Sequence, residues 1–494
     1  MSISSHAPVW VVLLPLTASL LCLLFSRFNR KAGGWLVQAA LAGSFAASLA
    51  TLYEVLGKGG KSVHYWMGNW APPIGIEFAL DPLNVSVLCM ITFLSLVISF
   101  YGQPFLVEED WLHYGGYYTL YGLCGMVVTG DVFNMYVYLE IMSLSGYGLI
   151  ALGGKKSMVA AFRYLLVGTI AASLYLLGVG YVYSMTGSLN MADIAVRIQP
   201  FVHTPLFAFA VACFLIAFGI KMALFPLHGW QPDAYTYSHP GAAGLIAGCM
   251  SKVPAYAMLR FFFFMFGMQN SIMSGLMDVI GIMGICGILI GSVMALAQYD
   301  FRRMLAYSSV AQLGYIAVGM AMGNMYGFIG AVLHLINHAF MKSCLFLVIG
   351  GISYRFGEVN LYRLGGLNKK MTVSTVAIIF AVLSMVGIPP TCGFFSKWYL
   401  MLGAFEGRQY IYIVVLVISS LLNAVYYFRI IEQMFVQREA SLVEIHHPDS
   451  KFGLPMNMVL PIGITGLGIL FLGIYSSDLV TRVIQLGLPE VFLR

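Results

Sequence analysis

Residues 214–240 read FLIAFGIKMALFPLHGWQPDAYTYSHP, and they set Lys221 inside a run of apolar helix formers. A cation at mid-bilayer depth costs about 2.5–3.5 kcal/mol or more on insertion scales, so a lysine there calls for a functional reason. Five residues later Pro226 removes one backbone hydrogen bond and sterically displaces another, which breaks the helix. Broken membrane helices persist only where protein or a water-filled cavity surrounds the freed carbonyls. Lysine and break together point to a hydrated path. The competing reading, a lysine that snorkels to the interface from a helix end, is disfavoured by the apolar residues extending to both sides.

The remainder of the chain agrees in kind. Of its 494 residues, 60% are hydrophobic and 9% charged, far from the roughly 25% charged of soluble domains, and mean hydropathy is +0.85. This composition reads as a polytopic membrane protein in which one helical bundle absorbs the whole length. The net charge of +6 comes mostly from short loops, where basic residues orient helices. No basic run with interleaved aromatics suggests a nucleic-acid partner. All eight cysteines lie in apolar segments without a CxxC pair, which disfavours iron–sulfur clusters and structural zinc and makes each a small packing residue. The N-terminus lacks a basic n-region and a small-residue cleavage site, so it reads as an uncleaved first span.

Hydropathy places about fourteen spans of roughly 20 residues each, the seventh near 204–226, the eighth near 241–267, the eleventh near 326–350 and the twelfth near 372–402. Fourteen basic residues between Arg27 and Lys451 fall in loops on one side, and six (Lys58, Lys61, Arg197, Arg408, Arg482, Arg494) on the other. The positive-inside rule then puts the Lys155 loop in the cytoplasm and both termini outside. Six basic residues remain within or near spans: Arg163, Lys221, Lys252, Arg260, Lys342 and Lys397. Arg163 and Arg260 fall close enough to helix ends to snorkel. Lys252 lies about eleven residues into its span, roughly 16 Å along the helix and near the middle of a ~30 Å core, with Pro254 loosening the helix two residues on. Lys397 belongs to MVGIPPTCGFFSKWYLM, where Pro389, Pro390 and Gly393 break the twelfth span.

Interrupted segments at corresponding positions of two halves point to an inverted-repeat transporter site. Spans four to eight and nine to thirteen each hold five helices, and an odd number inverts the second unit. The expected fold is an all-α polytopic membrane protein of about fourteen transmembrane helices, with two inverted five-helix repeats and broken helices 7 and 12. The expected organisation is 1–112 for the first three helices, 113–267 for the first repeat, 274–432 for the second, and 433–494 for a linker and the C-terminal helix.

Acidic residues are sparse. Glu140, in TGDVFNMYVYLEIMSLSGYGLIALGG, lies near the middle of span five, with Asp131 at its mouth. A buried carboxylate needs a partner, and Lys221 is the preferred one; the alternative is a protonated carboxyl hydrogen-bonded for structure. In LHLINHAFMKSCLF, His334, His338 and Lys342 are spaced by four and share one helical face. No HExxH pattern or third ligand accompanies the histidines, so a proton relay is a better reading than zinc, with interhelical hydrogen bonding as the alternative. His228 and Lys342 are possible further relay members. Ser188–Pro200 suits a short surface helix, Glu108–Asp110 a solvated loop, Phe261–Phe264 a lipid-facing patch, and Gln437–Lys451, with His446 and His447, a connector. Neither a phosphate-binding loop nor a nucleophile elbow nor a metal signature is found, so no cofactor is expected.

Six pieces in order carry a resemblance: TGDVFNMYVYLE, FGIKMALFPLHGWQPDAY, SKVPAY, AQYDFRRMLAYSSVAQLGY, HLINHAFMKSCLF and GIPPTCGFFSKWYL. The chain resembles the antiporter-like subunits of respiratory complex I and of the multisubunit cation/proton antiporters called Mrp. Its wording is most similar to the Mrp D-type subunits and their relatives in membrane-bound hydrogenases, while LHGW and SHPGAA depart from typical Mrp D wording and leave a redox-driven home open. The resemblance implies a proton relay in which Glu140 tunes Lys221, which exchanges with Lys252, then His334 and His338, then Lys397. It implies other membrane subunits as partners, protons and, for an antiporter, sodium as cargo, and a bacterial or archaeal cytoplasmic membrane as the location. The preferred function is proton translocation in a cation/proton, Na+/H+-type antiporter; the alternative is a proton-pumping subunit of a hydrogenase or quinone oxidoreductase complex. On either reading the redox or ion-driving site lies on other chains.

Overall fold

A computed structural model describes residues 6–25, 30–106, 118–268, 270–357, 360–436, 445 and 452–492. The Glu108–Asp110 loop and, Ile445 apart, the Gln437–Lys451 connector with His446 and His447 lie outside the described residues. Among the described residues the chain is mainly helical, with one antiparallel hairpin formed by β1 (Val63–Trp66) and β2 (Glu77–Leu80). The helices up to the first interruption are α1 (Ala7–Phe25), α2 (Arg30–Gly57), α3 (Pro82–Leu106), α4 (Tyr118–Val128), α5 (Val132–Ala151), α6 (Lys155–Thr186), the short α7 (Met191–Arg197) and α8 (Pro205–Met222). Beyond it come α9 (Gln231–Tyr237), α10 (Pro240–Leu245), α11 (Lys252–Arg260), α12 (Ser271–Leu296), α13 (Phe301–Ala321), α14 (Met325–Phe356), α15 (Thr372–Val386), α16 (Cys392–Glu406), α17 (Tyr410–Phe435) and α18 (Met456–Ile474).

Helix starts follow local chemistry. Asp131, Asn190, Thr204, Asn270, Asp300 and Asn324 each accept a backbone N–H of the first turn, at the heads of α5, α7, α8, α12, α13 and α14, satisfying donors that would otherwise be orphaned. The surface helix expected within Ser188–Pro200 is α7. Among the described residues ten helices are long and apolar enough to cross a membrane, and Ala7–Cys22, Thr119–Val128 and Thr372–Val386 are shorter apolar helices.

Burial sorts these elements into a core and a rim. The most apolar windows of α14 and of the 240–265 segment are 100% buried and that of α13 94%, against 39–44% for α6, α12 and α17. Helices of the second kind leave an apolar face outward, which suits lipid or a neighbouring subunit; those of the first kind are enclosed by protein, where polar side chains can be matched.

Two sequence-based expectations change here, and one residue gains a partner. Phe261, Phe262 and Phe263 are buried rather than lipid-facing. A π-turn over Phe261–Met265 shifts the helical register, and Phe261 packs at 4.9 Å and 5.0 Å on Phe214 and Phe218. Arg260 has a counter-ion that the sequence did not indicate: its guanidinium pairs with Asp81, the residue that follows β2, because the surrounding segment is enclosed and a buried charge needs a counter-ion. Gly393 lies inside α16 rather than in the break, which runs over 387–391. It is a close-contact glycine, since a Cβ there would meet the Ser384 carbonyl at 1.9 Å.

Candidate functional site

α8 stops one residue after Lys221. Ala223 takes a left-handed conformation (φ 61°) and returns its N–H to the end of the helix, and residues 223–230 run without helix before α9. The Trp230 indole donates to the Ile220 carbonyl at 2.8 Å, so a side chain from beyond the break satisfies an acceptor at its edge. Trp230 also stacks on Tyr164 at 3.7 Å between ring centroids.

Lys221 is fully buried. Its ammonium donates to Ser143 Oγ at 2.7 Å and to Tyr147 Oη at 3.3 Å, and Glu140 Oε1 lies at 4.0 Å. Glu140, Ser143 and Tyr147 fall at i, i+3 and i+7 of α5 and so form one face. The rings of Tyr147 and Tyr164 each lie 5.8 Å from the ammonium, adding cation–π attraction. Gly168 of α6 makes the room, because a Cβ there would lie 2.0 Å from the Tyr147 hydroxyl and 3.3 Å from the Lys221 nitrogen. The Glu140–Lys221 pairing expected from sequence is therefore formed, with the Glu140 side chain 29% exposed and the lysine side chain at 0%.

Lys252 follows a π-turn over Ile246–Met250. Its ammonium donates to the Ala247 carbonyl inside that turn and to Ser251 Oγ at 3.2 Å. Tyr235 of α9 donates to the same Ser251 oxygen at 3.1 Å, connecting the segment beyond the first interruption to the second lysine. Pro254 sits in the first turn of α11, where a regular upstream helix would have asked it for an N–H that it lacks.

On α14, His334, His338 and Lys342 are all at 0% exposure. The two imidazoles lie 5.9 Å apart and nearly parallel, His334 Nδ1 is 3.0 Å from Ser396 Oγ, and Tyr315 stacks on His334 at 5.2 Å. Lys397 sits 5.2 Å from the Tyr315 ring on its own side and donates to the Met385 and Val386 carbonyls, both at 2.9 Å, and to Ser420 Oγ at 3.1 Å. Those carbonyls end α15, so the cation closes the helix terminus where it is electrostatically favoured. Lys342 donates to the Leu305 carbonyl at 2.8 Å and to Ser308 Oγ at 2.5 Å, and Tyr427 donates to that same serine at 3.0 Å. Lys252 lies within electrostatic range of His334, His338 and Lys342. His228 stacks on Phe225 inside the first interruption at 5.3 Å.

Among the described residues, only Lys221 of the four buried lysines has a carboxylate within 4.0 Å. His334 Nε2, both nitrogens of His338, Asn337 Oδ1 and both ends of the Gln312 amide are buried without a protein hydrogen-bond partner. Gln312, Asn337, Tyr315, Ser420, Tyr164 and Trp230 were not singled out from sequence. Ser143 and Tyr147 were not singled out either, although their helical spacing to Glu140 is a signal that could have found them; Tyr315 and Ser420 reach the site from other helices and carry no local signal. Among the described residues no group of three histidine, cysteine, aspartate or glutamate side chains is placed to hold a metal ion. What the arrangement offers is a set of titratable groups in an enclosed interior, interleaved with hydroxyls and amides that can donate or accept.

A family model described as NADH:quinone oxidoreductase/Mrp antiporter, TM, matches residues 129–423, the stretch that holds every group named above except Tyr427. The chain is similar to NADH-quinone oxidoreductase subunit N of Desulforudis audaxviator (strain MP104C), with 43% identity over 98% of this chain and 99% of that protein. It is also similar to the D-type subunit of the Na(+)/H(+) antiporter of Alkalihalophilus pseudofirmus (strain ATCC BAA-2126 / JCM 17055 / OF4), with 32% identity over 72% of this chain and 73% of that protein. In the solved structure of an Mrp complex from Dietzia sp. DQ12-45-1b, one chain superposes with a TM-score of 0.85 at 26% identity, covering 98% of this chain and 96% of that one.

Proposed function

Because this chain belongs to the NADH:quinone oxidoreductase/Mrp antiporter family of membrane subunits, we propose that it moves protons across the membrane within a multisubunit complex, along Glu140, Lys221, Lys252, His334, His338 and Lys397. The observation that carries this reading is the manner in which the lysines are held. Lys221, Lys252 and Lys397 each adjoin a helix interruption and are solvated mainly by carbonyls and hydroxyls, ligands that hold an ammonium without locking it into a full ion pair. A scaffold would have no use for such groups in an apolar interior, since each costs insertion energy.

Lys221 is the switching group. Glu140 attracts its ammonium, and Ser143 and Tyr147 accept from it, so changing the Glu140 contact changes how firmly the proton is held. Transfer onward to Lys252 runs past Trp230, Tyr235 and Ser251, and from there to the paired imidazoles and Lys397. Each hop needs hydrogen-bond reach or a bridging water, and the buried polar atoms of His334, His338, Asn337 and Gln312 that no protein group satisfies supply sites for such water. Lys342, with Ser308 and Tyr427, forms a side branch of the same row. The two interruptions belong, on this reading, to inverted five-helix units over 113–267 and 274–432 within a fourteen-helix bundle.

For the driving partner, near-full-length similarity to a NADH-quinone oxidoreductase subunit supports a redox-driven complex. Cation/proton antiport, the preference drawn from sequence, is the second reading, supported by the similarity to the D-type antiporter subunit. The test is proton movement in sealed vesicles holding the purified complex, driven once by a quinone-directed reductant and once by a sodium gradient. Acidification or alkalinisation under either drive, lost in Lys221→Ala with the complex still assembled, is the expected result; unchanged transport by that variant overturns the proposed role.

A further inference from the structure

At the N-terminal end of α6 a group of cations faces outward around one carboxylate. Arg163 Nη1 donates to Asp233 Oδ2 at 2.6 Å, and Arg303 Nη2 lies 3.6 Å from the other oxygen of the same residue. Arg303 also donates to the Tyr237 hydroxyl at 3.5 Å, and Lys156 stands 5.7 Å above the Tyr237 ring. Lys156 and Arg163 are seven residues apart and share a helical face; Lys155 and Lys156 are exposed, and the Arg163 side chain is 61% exposed. Gly154 begins α6 without a side-chain cap, so the first-turn N–H groups and the helix dipole add positive potential at the same end. Among the described residues Asp233 alone makes ion-pair contact with the cluster, while the nearby Asp300 carboxylate caps α13 by accepting the Arg303 N–H. Charge is therefore left over.

Beside these cations α6 exposes Met158, Val159, Phe162 and Leu166. A positive cluster at the end of a membrane helix, continuous with an apolar face of that helix, matches a molecule with a negative head and an apolar tail. We propose that Lys155, Lys156, Arg163 and Arg303 form a binding site for the phosphate headgroup of an anionic phospholipid whose acyl chains lie along α6. Asp233 belongs to α9, immediately beyond the Lys221 interruption, so the headgroup would brace the broken segment through the two arginines that it shares with that carboxylate.

The experiment uses the purified complex in nanodiscs of mixed phosphatidylcholine and phosphatidylglycerol, followed by detergent exchange and mass-spectrometric counting of retained phospholipid. Wild type should retain phosphatidylglycerol over phosphatidylcholine and lose it as salt is raised, while excess inorganic phosphate should leave it bound. Lys156→Gln with Arg163→Gln should lower retention roughly tenfold or more, because each basic residue near a membrane surface contributes a several-fold step in affinity for anionic lipid. If that variant does not assemble, Lys155→Gln with Lys156→Gln, which keeps the Arg163–Asp233 pair, should show the same direction of loss. Equal retention in wild type and the assembled variant overturns the proposal. So does displacement by inorganic phosphate, which would mark a free-anion site, or cross-linking of Lys155 and Lys156 to another chain in the native complex, which would mark a protein interface.

Discussion

Lys221 keeps its ammonium between two hydroxyls and a carboxylate at 4.0 Å, and the balance among these contacts is where a single substitution has most effect. Lys221→Ala should reduce proton-coupled transport in vesicles to background while subunits co-purify normally; transport by an assembled mutant would remove the lysine from the mechanism. Glu140→Gln keeps the volume and deletes the charge, and because the carboxylate is partly exposed its attraction is moderated by solvent. It should slow transport and alter its pH profile, and a rate and profile both equal to wild type would mean that the pair has no functional weight. Gly168→Ala tests positioning without changing any charge. The added methyl would lie 2.0 Å from the Tyr147 hydroxyl, so Tyr147 must move away from the ammonium, an overpacking cost of about 1–3 kcal/mol. Reduced transport with normal assembly is expected, and a fully active Gly168→Ala would show that the tyrosine contact is dispensable. Lys221, Glu140 and the break at Pro226 were legible in sequence because charge in lipid and proline in a helix are rare and costly. Gly168 was not, since the need for a missing side chain exists only once three helices have met.

At the scale of elements, the interruptions are closed by side chains from elsewhere in the fold. Trp230→Phe keeps an aromatic ring against Tyr164 but takes the indole donor from the Ile220 carbonyl, which retains only the Ala223 N–H at 3.0 Å, a lost hydrogen bond worth about 0.5–1.5 kcal/mol. Lower thermal stability of the purified complex and weakened transport should appear together; no change in either would show that the Ala223 N–H alone suffices at this carbonyl. The hairpin outside the membrane makes a separate, pH-dependent attachment. Buried Glu77 takes His64 Nδ1 at 3.2 Å and the Asn190 amide at 2.7 Å, tying β1 and β2 to the head of α7. The hydrogen bond to Glu77 raises the His64 imidazole above its ordinary 6.5, and His64 in turn, with Asn190, holds Glu77 below its ordinary 4.5. The histidine's contribution is complete below 6.5 and fades as pH climbs through the raised value; the glutamate's is complete above 4.5 and fades as pH falls through the lowered value. Amide hydrogen exchange in 63–80, corrected for intrinsic rate, should therefore be slowest in a mildly acidic window and faster on both sides of it. In His64→Ala the rise on the alkaline side should vanish, and its persistence would contradict the pairing.

For the molecule as a whole, the middle of the proposed polar row, Lys252, His334 and His338, lies on the most enclosed segments, 240–265 and α14, while Glu140, Lys221 and Lys397 reach it from α5, α8 and α16. A density map of the assembled complex should show ordered water at His334, His338, Asn337 and Gln312, and a dry arrangement in which those atoms pair with one another would count against the relay. By itself the sequence determined the membrane class, the helix breaks beside Lys221 and Lys397, the buried lysines and histidines, and the partnership of Glu140 with Lys221, since each rests on composition, helical spacing or the energetic cost of charge in hydrocarbon. Only the tertiary structure decided which hydroxyls and carbonyls solvate those lysines, that Arg260 pairs with Asp81, and that Phe261–Phe263 face inward. The reason is physical: a helix carries its own periodicity in its sequence, but which side of it meets protein depends on neighbours that are distant in the chain, and a π-turn can shift that side by a fraction of a turn without leaving a mark in hydropathy.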